Sequence, residues 1–447
     1  MKCISFFRYF VFNFLFIYLS VYLFIGRADA ENLAHIKEKK LNIDQVVEMA
    51  LEANHKIHIS KIDVARSMEA KKEAFTDFLP KIKTGYGYTY RSETDQVTLD
   101  EIRYYYGDKD NYQWRISVIQ SIFTGLSTYT NYQIADLNLE IADIRRAITR
   151  LDIIFETKKR FFAVQNAKLL VEVGKESVRS LQEHLSVAVE YYKVGLNPKI
   201  DVLNAEVELA NAEQYLERSK NHLIIAKAAL NNILVRPVDT PIDVVDTIKH
   251  TPLAISYKEC SAKAIELRPG LKEARKNIQI AQKKIRLARS NYLPVITASM
   301  NYNRYGDSLN VGGSHEVDRE NWNAMVGAEW TFFEWGKTYR CVAQAKQNLK
   351  KAAQQLAIVE DRIRFEVKKA FQDVKTAHHN IKTAKKGVAS AEENLEISTE
   401  RYKEQIATTT EVMDAQTRRT KAMTLYTNVL NNYNVALASL NRAMGVE

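Results

Sequence analysis

A chain of 447 residues with 46% hydrophobic and 26% charged side chains is too apolar for a disordered polymer, and three cysteines exclude a disulfide-stapled scaffold. Only 15 glycines and 7 prolines punctuate it, so long solvated helices are expected rather than many short elements. The net charge of +10 would suit a nucleic-acid binder, but no basic patch with interleaved aromatics and no zinc spacing accompanies it; the charge reads as a solvated helical surface with no nucleic-acid partner.

The first element is an export leader. Lys2 and Arg8 give a positive start, Tyr9 to Ile25 is almost wholly apolar, and Ala28-Asp29-Ala30 is a small-x-small cleavage site, which predicts a signal peptide over residues 1–30. Cys3 leaves with it. Cys260 and Cys341 remain, in helical contexts, and are expected as free or buried thiols. No later segment offers about 18 consecutive apolar residues, so any membrane crossing must be made by a closed barrel.

Beyond the leader the chain repeats itself. Residues 192–206, YKVGLNPKIDVLNAE, align without gaps on 402–416, YKEQIATTTEVMDAQ, at an offset of 210. Earlier in each half, Phe78-Leu79-Pro80 aligns on Tyr292-Leu293-Pro294 at an offset of 214, so a loop between residues 91 and 111 is four residues shorter in the second copy. The predicted organisation is a first repeat over 31–234, a linker over 235–255 with Pro237, Pro241 and Pro252, and a second repeat over 256–447.

Each repeat opens with two strands. In KTGYGYTYR, residues 83–91, Tyr86, Tyr88 and Tyr90 alternate with Gly85, Gly87 and Thr89; in WRISVIQSIF, Trp114, Ile116, Val118 and Ile122 share a parity. The second copy alternates Ile296, Ala298, Met300 and Tyr302, then Ala324, Val326, Ala328, Trp330 and Phe332. Strands are expected at about 81–91, 112–123, 295–305 and 322–333, with the length and period of tilted outer-membrane strands. Four strands cannot close, because the smallest such barrels need about eight; three chains would supply twelve and leave no edge in lipid. The tyrosines would then face lipid, and the glycines the lumen.

Each strand pair feeds a long helical hairpin, about 126–232 and 337–444. Leu137, Ile141, Ile144, Ile148, Leu151 and Phe155 are spaced 4-3-4-3-4, and Ile363, Val367, Ala370, Val374, Ala377, Ile381 and Ala384 continue the rule in copy two, which means coiled-coil packing. The first hairpin turns at Gly195-Leu196-Asn197-Pro198, where Pro198 keeps Asn197 out of the helical region. The fold class is mainly α with a membrane β-barrel: an internally duplicated chain of coiled-coil hairpins and four strands, assembled as a trimer.

Nothing marks an enzyme. There is no phosphate loop, no nucleophile elbow and no metal spacing; His55 with His58 and the pair His378-His379 are the nearest approaches to a ligand cluster, so no cofactor and no metal are expected. A secreted or periplasmic coiled-coil structural or adhesion protein would explain the heptads but not the four barrel strands.

Together these features resemble the TolC family of outer membrane efflux proteins over essentially the whole mature chain. The carrying residues are Leu79-Pro80 and Leu293-Pro294, the junctions Phe123-Thr124-Gly125 and Phe333-Glu334-Trp335-Gly336, and the turns KVGLNPKIDVLNA and EVMDAQ. The resemblance implies a homotrimeric outer-membrane exit duct of a tripartite efflux or type I secretion system, continued by a helical barrel across the periplasm of a Gram-negative cell. Its partners would be outer-membrane lipid, a periplasmic adaptor and an inner-membrane pump of RND, ABC or MFS type, with the pump choosing among drugs, metal ions and polypeptides. Val194, Gly195 and Leu196 match the family's adaptor-docking tip, where copy two has Glu404, Gln405 and Ile406. Glu411 and Asp414 match the acidic ring of the periplasmic entrance. Asp201 and Tyr402 match partners in the network that closes it, with Ala407 standing where a basic residue is expected.

Overall fold

The computed structural model describes residues 40–99, 102–106, 108–245, 255–313 and 319–447; the leader expected over residues 1–30 lies outside them, as do linker residues 246–254. In chain order the elements are α1 (Ile43–Ala53), α2 (His55–Thr76), β1 (Lys81–Tyr90), β2 (Asp95–Leu99), β3 (Ile102–Tyr106), β4 (Asp110–Thr124), α3 (Ser127–Lys193), α4 (Lys199–Ile233), α5 (Tyr257–Leu267), α6 (Pro269–Ser290), β5 (Val295–Gly306), β6 (Glu320–Glu329), α7 (Lys337–Lys403) and α8 (Thr409–Met444). The duplication is visible residue by residue. Shifting α1, α2 and the start of β1 by 214 gives α5, α6 and the start of β5, while shifting α3 by 210 gives α7. The longer first-copy loop carries β2 and β3, a two-stranded ribbon that the sequence reading treats as loop.

Contacts divide the described residues into two compact units, one holding those up to Glu52, those from Glu156 to 245 and Thr376–Val435, the other holding those of Ala53–Phe155, those from 255 to Lys375 and Ala436–Glu447. Helices α3, α7 and α8 contribute to both. The inward stripe of α7 is the one its spacing predicts: Ile363, Val367, Ala370, Val374, Ala377, Ile381 and Ala384 are all buried. Among the described residues no helix is long and apolar enough to cross a membrane.

In the first unit, Val46 and Ala50 of α1, Phe161 and Val164 of α3, Leu230 of α4 and Tyr433 of α8 are among the core residues. The inter-repeat segment is tied to this core by side chains and by one backbone bridge. The fully buried Asn231 donates from Nδ2 to the carbonyls of Val238 (3.1 Å) and Thr240 (2.7 Å), Leu41 bridges Val244, and Lys168 pairs with Asp243 at 2.6 Å.

The second unit holds a four-stranded antiparallel sheet in the order β1-β4-β5-β6, so both outer strands have an unpaired edge among the described residues. Directly opposed residues share a face. The register puts Tyr86, Tyr88, Tyr112, Trp114, Ile116, Val118, Met300, Tyr302, Trp322 and Val326 on one face, and Gly85, Gly87, Gln113, Arg115, Ser117, Asn301, Asn303, Asn321 and Asn323 on the other. On the polar face, side chains are joined across three strands. Ser117 Oγ donates to Asn301 Oδ1 (2.7 Å), Asn301 Nδ2 to Asn323 Oδ1 (3.0 Å), Arg115 Nε to Asn303 Oδ1 (2.9 Å) and Asn303 Nδ2 to Asn321 Oδ1 (3.1 Å).

A bulge at Ile122 in β4 moves Phe123 opposite Ile296, onto the aromatic face. Strand β6 stops at Glu329, short of Trp330 and Phe332. The cause is across the ladder: Glu329 faces Val295, and the next partner is Pro294, which has no N–H to donate.

Both strand-to-helix junctions place two successive residues in the left-handed region, Gly125-Leu126 (φ 61 and 70) and Trp335-Gly336 (φ 53 and 76). Gly125 also meets a packing limit, since a Cβ there would lie 2.5 Å from the Ser290 carbonyl oxygen. The helices behind them are capped alike: the Thr128 amide donates to Thr124 Oγ1 (3.3 Å) and the Thr338 amide to Glu334 Oε1 (2.9 Å). Cys260 and Cys341 are free, and burial pushes the Cys260 thiol up.

Candidate functional site

The residues singled out by sequence converge on two helical turns in the first unit, α3 to α4 and α7 to α8. Both have one backbone design. After α3, the Leu196 amide donates to the Tyr191 carbonyl (2.8 Å) and the Gly195 amide to Tyr192 (3.0 Å); after α7, Ile406 donates to Arg401 (2.8 Å) and Gln405 to Tyr402 (3.0 Å). This paired closure is a Schellman motif, which needs a left-handed residue at its corner. Gly195 supplies it at φ 79, with no neighbour within 4 Å of a Cβ position, so its requirement is conformational rather than steric. Gln405 adopts φ 61 with a side chain, at a cost of about 1 kcal/mol. The copies that differ in sequence, Val194-Gly195-Leu196 and Glu404-Gln405-Ile406, therefore share a conformation. Val194, Leu196, Ile200 and Ile406 are all more than half exposed, which leaves an apolar rim on the turns.

Side chains tie one turn to the other. Tyr402 is only 3% exposed, and its hydroxyl accepts hydrogen bonds from Asn197 Nδ2 (2.9 Å) and Thr409 Oγ1 (3.1 Å). Asn197 lies in the first turn and Thr409 opens α8, so one phenol joins three segments. Tyr191 adds a bond from its hydroxyl to the Lys403 carbonyl (3.1 Å), and the His184 and Tyr191 rings lie 4.8 and 5.7 Å from that of Tyr402. Burial raises the Tyr402 pKa, the Thr409 hydrogen bond opposes this, and the Asp201 carboxylate raises it further, so the phenol stays protonated at neutral pH. Deeper along the hairpins, Arg419 of α8 reaches Glu176 of α3 (2.7 Å) and Glu392 of α7 (3.8 Å).

Asp201 acts on Tyr402 through its charge, and the hydrogen bonds come from Asn197 and Thr409. Asn197 is legible only as a residue before proline, and Thr409 carries no sequence signal. Ala407 offers no charge, yet a cation is nearby: Arg401, one turn before the bend, pairs with Glu411 at 3.6 Å. Both partners are about half exposed, so the pair contributes at most about 1 kcal/mol. Asp414 is exposed one turn further along α8 and makes no ion pair among the described residues. No group of three metal-ligating side chains occurs among the described residues.

A family model described as Outer membrane efflux protein matches residues 46–235 and 261–446, one span in each repeat. Among solved structures, the fold is similar to the Campylobacter jejuni CmeC outer membrane channel, with 17% identity over 90% of this chain and 85% of that one and a TM-score of 0.76. It is also similar to the outer membrane protein VceC of Vibrio cholerae (15% identity, 90% and 96% covered, TM-score 0.76) and to the open state of the Neisseria gonorrhoeae MtrE outer membrane channel (15%, 90% and 89%, 0.73). At such identities the likeness speaks to the fold alone. Curated proteins give no match.

Proposed function

Because this chain belongs to the outer membrane efflux protein family, we propose that three copies close into a twelve-stranded barrel in the outer membrane and that the helical hairpins continue it as a periplasmic duct. The four-stranded sheet carries this reading. Among the described residues it has two unpaired edges, which lipid does not tolerate, and it has two chemically opposite faces. With the aromatic face in lipid, the amide ladder of Ser117, Asn301, Asn303, Asn321 and Asn323 lines a wet lumen, and Gly85 and Gly87 keep it open. The uncovered apolar stripe of α4, with Ile200, Leu203 and Val207 all exposed, favours contact with a neighbouring copy along the helical part.

On this reading the duct performs no catalysis and serves an inner-membrane pump of RND, ABC or MFS type through a periplasmic adaptor. The exposed apolar rim of Val194 and Leu196 on the Gly195 corner is the docking tip. Glu411 and Asp414, three copies of each, ring the entrance, and Tyr402 with Asn197 and Thr409 holds it shut, with Asp201 as an electrostatic neighbour. Residues 1–30 act as the export leader and are removed.

Fractionation and reconstitution test this. Heat-modifiable, SDS-resistant trimers in the outer-membrane fraction that conduct ions in planar bilayers are expected. A soluble monomer in the periplasm would remove the barrel and return the chain to the coiled-coil structural class.

A further inference from the structure

Building on that reading of a duct with a closable entrance, we propose that His184 is a positioning residue for Tyr402 that makes closure proton-sensitive: the neutral imidazole seats the phenol ring, and the imidazolium unseats it. His184 lies on α3, is 8% exposed, and packs its ring against that of Tyr402 at 4.8 Å with a tilt of 53°. Its Nε2 is buried with no hydrogen-bond partner among the described residues. The ring it supports is the one whose hydroxyl binds Asn197 of the first turn and Thr409 of α8. A displaced ring breaks both links together.

A charge on His184 finds no compensation from its surroundings. On its own helix, Glu183 and Glu190 lie on the exposed side, within 4.0 Å of Arg179 and 2.8 Å of Lys193. From α7 it faces the neutral phenol of Tyr402, Arg401 is engaged with Glu411 of α8, and Lys403 with Glu400. From α4, the Asp201 carboxylate bears on the Tyr402 hydroxyl. None of these groups hydrogen-bonds the imidazole, and burial alone lowers its pKa to about 4.

The sign follows from linkage. A solvated histidine in an opened turn titrates near 6.5, so the open state takes up the proton first. Closure is unaffected above about pH 7.5 and weakens as pH falls through 6.5 toward 4. With those two values the closed-to-open ratio falls about tenfold per chain at pH 5.5 and approaches a limit of about 300-fold in stronger acid.

The test is resting conductance of the full-length protein in planar bilayers between pH 7.5 and 5.0, for the native chain, His184→Phe, His184→Gln and Tyr402→Phe. Native open probability should rise at least about tenfold by pH 5.5, the per-chain factor, and more if the three chains open together, both His184 variants should stay flat, and Tyr402→Phe should be leaky at every pH. A flat native profile overturns the proposal, and so does an equal rise in the His184 variants, which would place the proton on another group. If neither His184 variant assembles, hydrogen exchange in the native turn peptides decides: protection corrected for intrinsic rates must fall at pH 5.5, and unchanged protection refutes the role. A protein that forms no pore at any pH, Tyr402→Phe included, instead fails the duct reading, and the exchange measurement still judges His184.

Discussion

Replacing Tyr402 by Phe removes one oxygen from the paired turns and leaves the ring packed against those of His184 and Tyr191. The phenol accepts two hydrogen bonds, from Asn197 Nδ2 at 2.9 Å and Thr409 Oγ1 at 3.1 Å. Each is worth about 1 kcal/mol net, and Thr409 is fully buried, so its hydroxyl loses an acceptor that water cannot replace. The closed arrangement should therefore weaken by about 2 kcal/mol per chain, a factor of about 30 in the closed-to-open ratio. If the chains of a trimer open together, the effect compounds to about 6 kcal/mol, or about 10⁴. Planar-bilayer recordings at pH 7.5 would show this as a rise in resting conductance. Asp201→Ala is the contrast: it removes only a through-space interaction, so its rise should be smaller. Unchanged conductance in Tyr402→Phe, or an equal rise from Asp201→Ala, would refute the assignment of closure to the Asn197–Tyr402–Thr409 links.

Barrel orientation is checked by a charge on each face of β6. Val326→Lys should cost roughly 2–4 kcal/mol in unfolding from lipid vesicles and Asn323→Lys far less, and equal damage would reverse or abolish the assignment of faces. At the tip, Leu196→Asp should abolish efflux of a fluorescent substrate from cells while heat-modifiable trimers persist; normal efflux would remove the turn from adaptor contact. If three copies of Glu411 and Asp414 ring the entrance as proposed, their six carboxylates favour cations, so multivalent cations applied from the periplasmic side should block the pore. The Glu411→Ala and Asp414→Ala double variant should lose most of that block, each single variant part of it, and an intact block in the double would leave the two acids as an ordinary solvated helix start.

What the sequence made legible was whatever repeats or alternates. The three-four spacing from Ile363 to Ala384 is the buried stripe of α7, and the parity of Tyr86, Trp114, Met300 and Val326 is one face of the sheet. The misses have local causes. Alternation through Trp330 and Phe332 extends β6 on paper, but the missing N–H of Pro294 ends the ladder. The β2–β3 ribbon escaped notice because Asp100-Glu101 between its strands carries no Gly or Asn turn signal. The amide ladder on the polar face and the hold on Tyr402 were hidden for a different reason. They join residues far apart in the chain, such as Asn197 and Tyr402, whose partnership depends on how the hairpins meet rather than on any spacing along either one.

The two long helices are equal in count, 67 residues each, and this sets what the gene can tolerate. Deleting one residue from α3 alone would withdraw its turn by about 1.5 Å and swing it by about 100°, carrying Tyr191 away from the Lys403 carbonyl and Asn197 away from Tyr402. Insertions and deletions in either helix should therefore be purged unless its duplicate changes by the same amount at a matching height. The loop between β1 and β4 answers to no such counterpart, and it is there that the first repeat has four more residues than the second and holds a ribbon of its own. The duplication behaves as a matched pair of rulers, free to diverge in every letter and bound to agree in length.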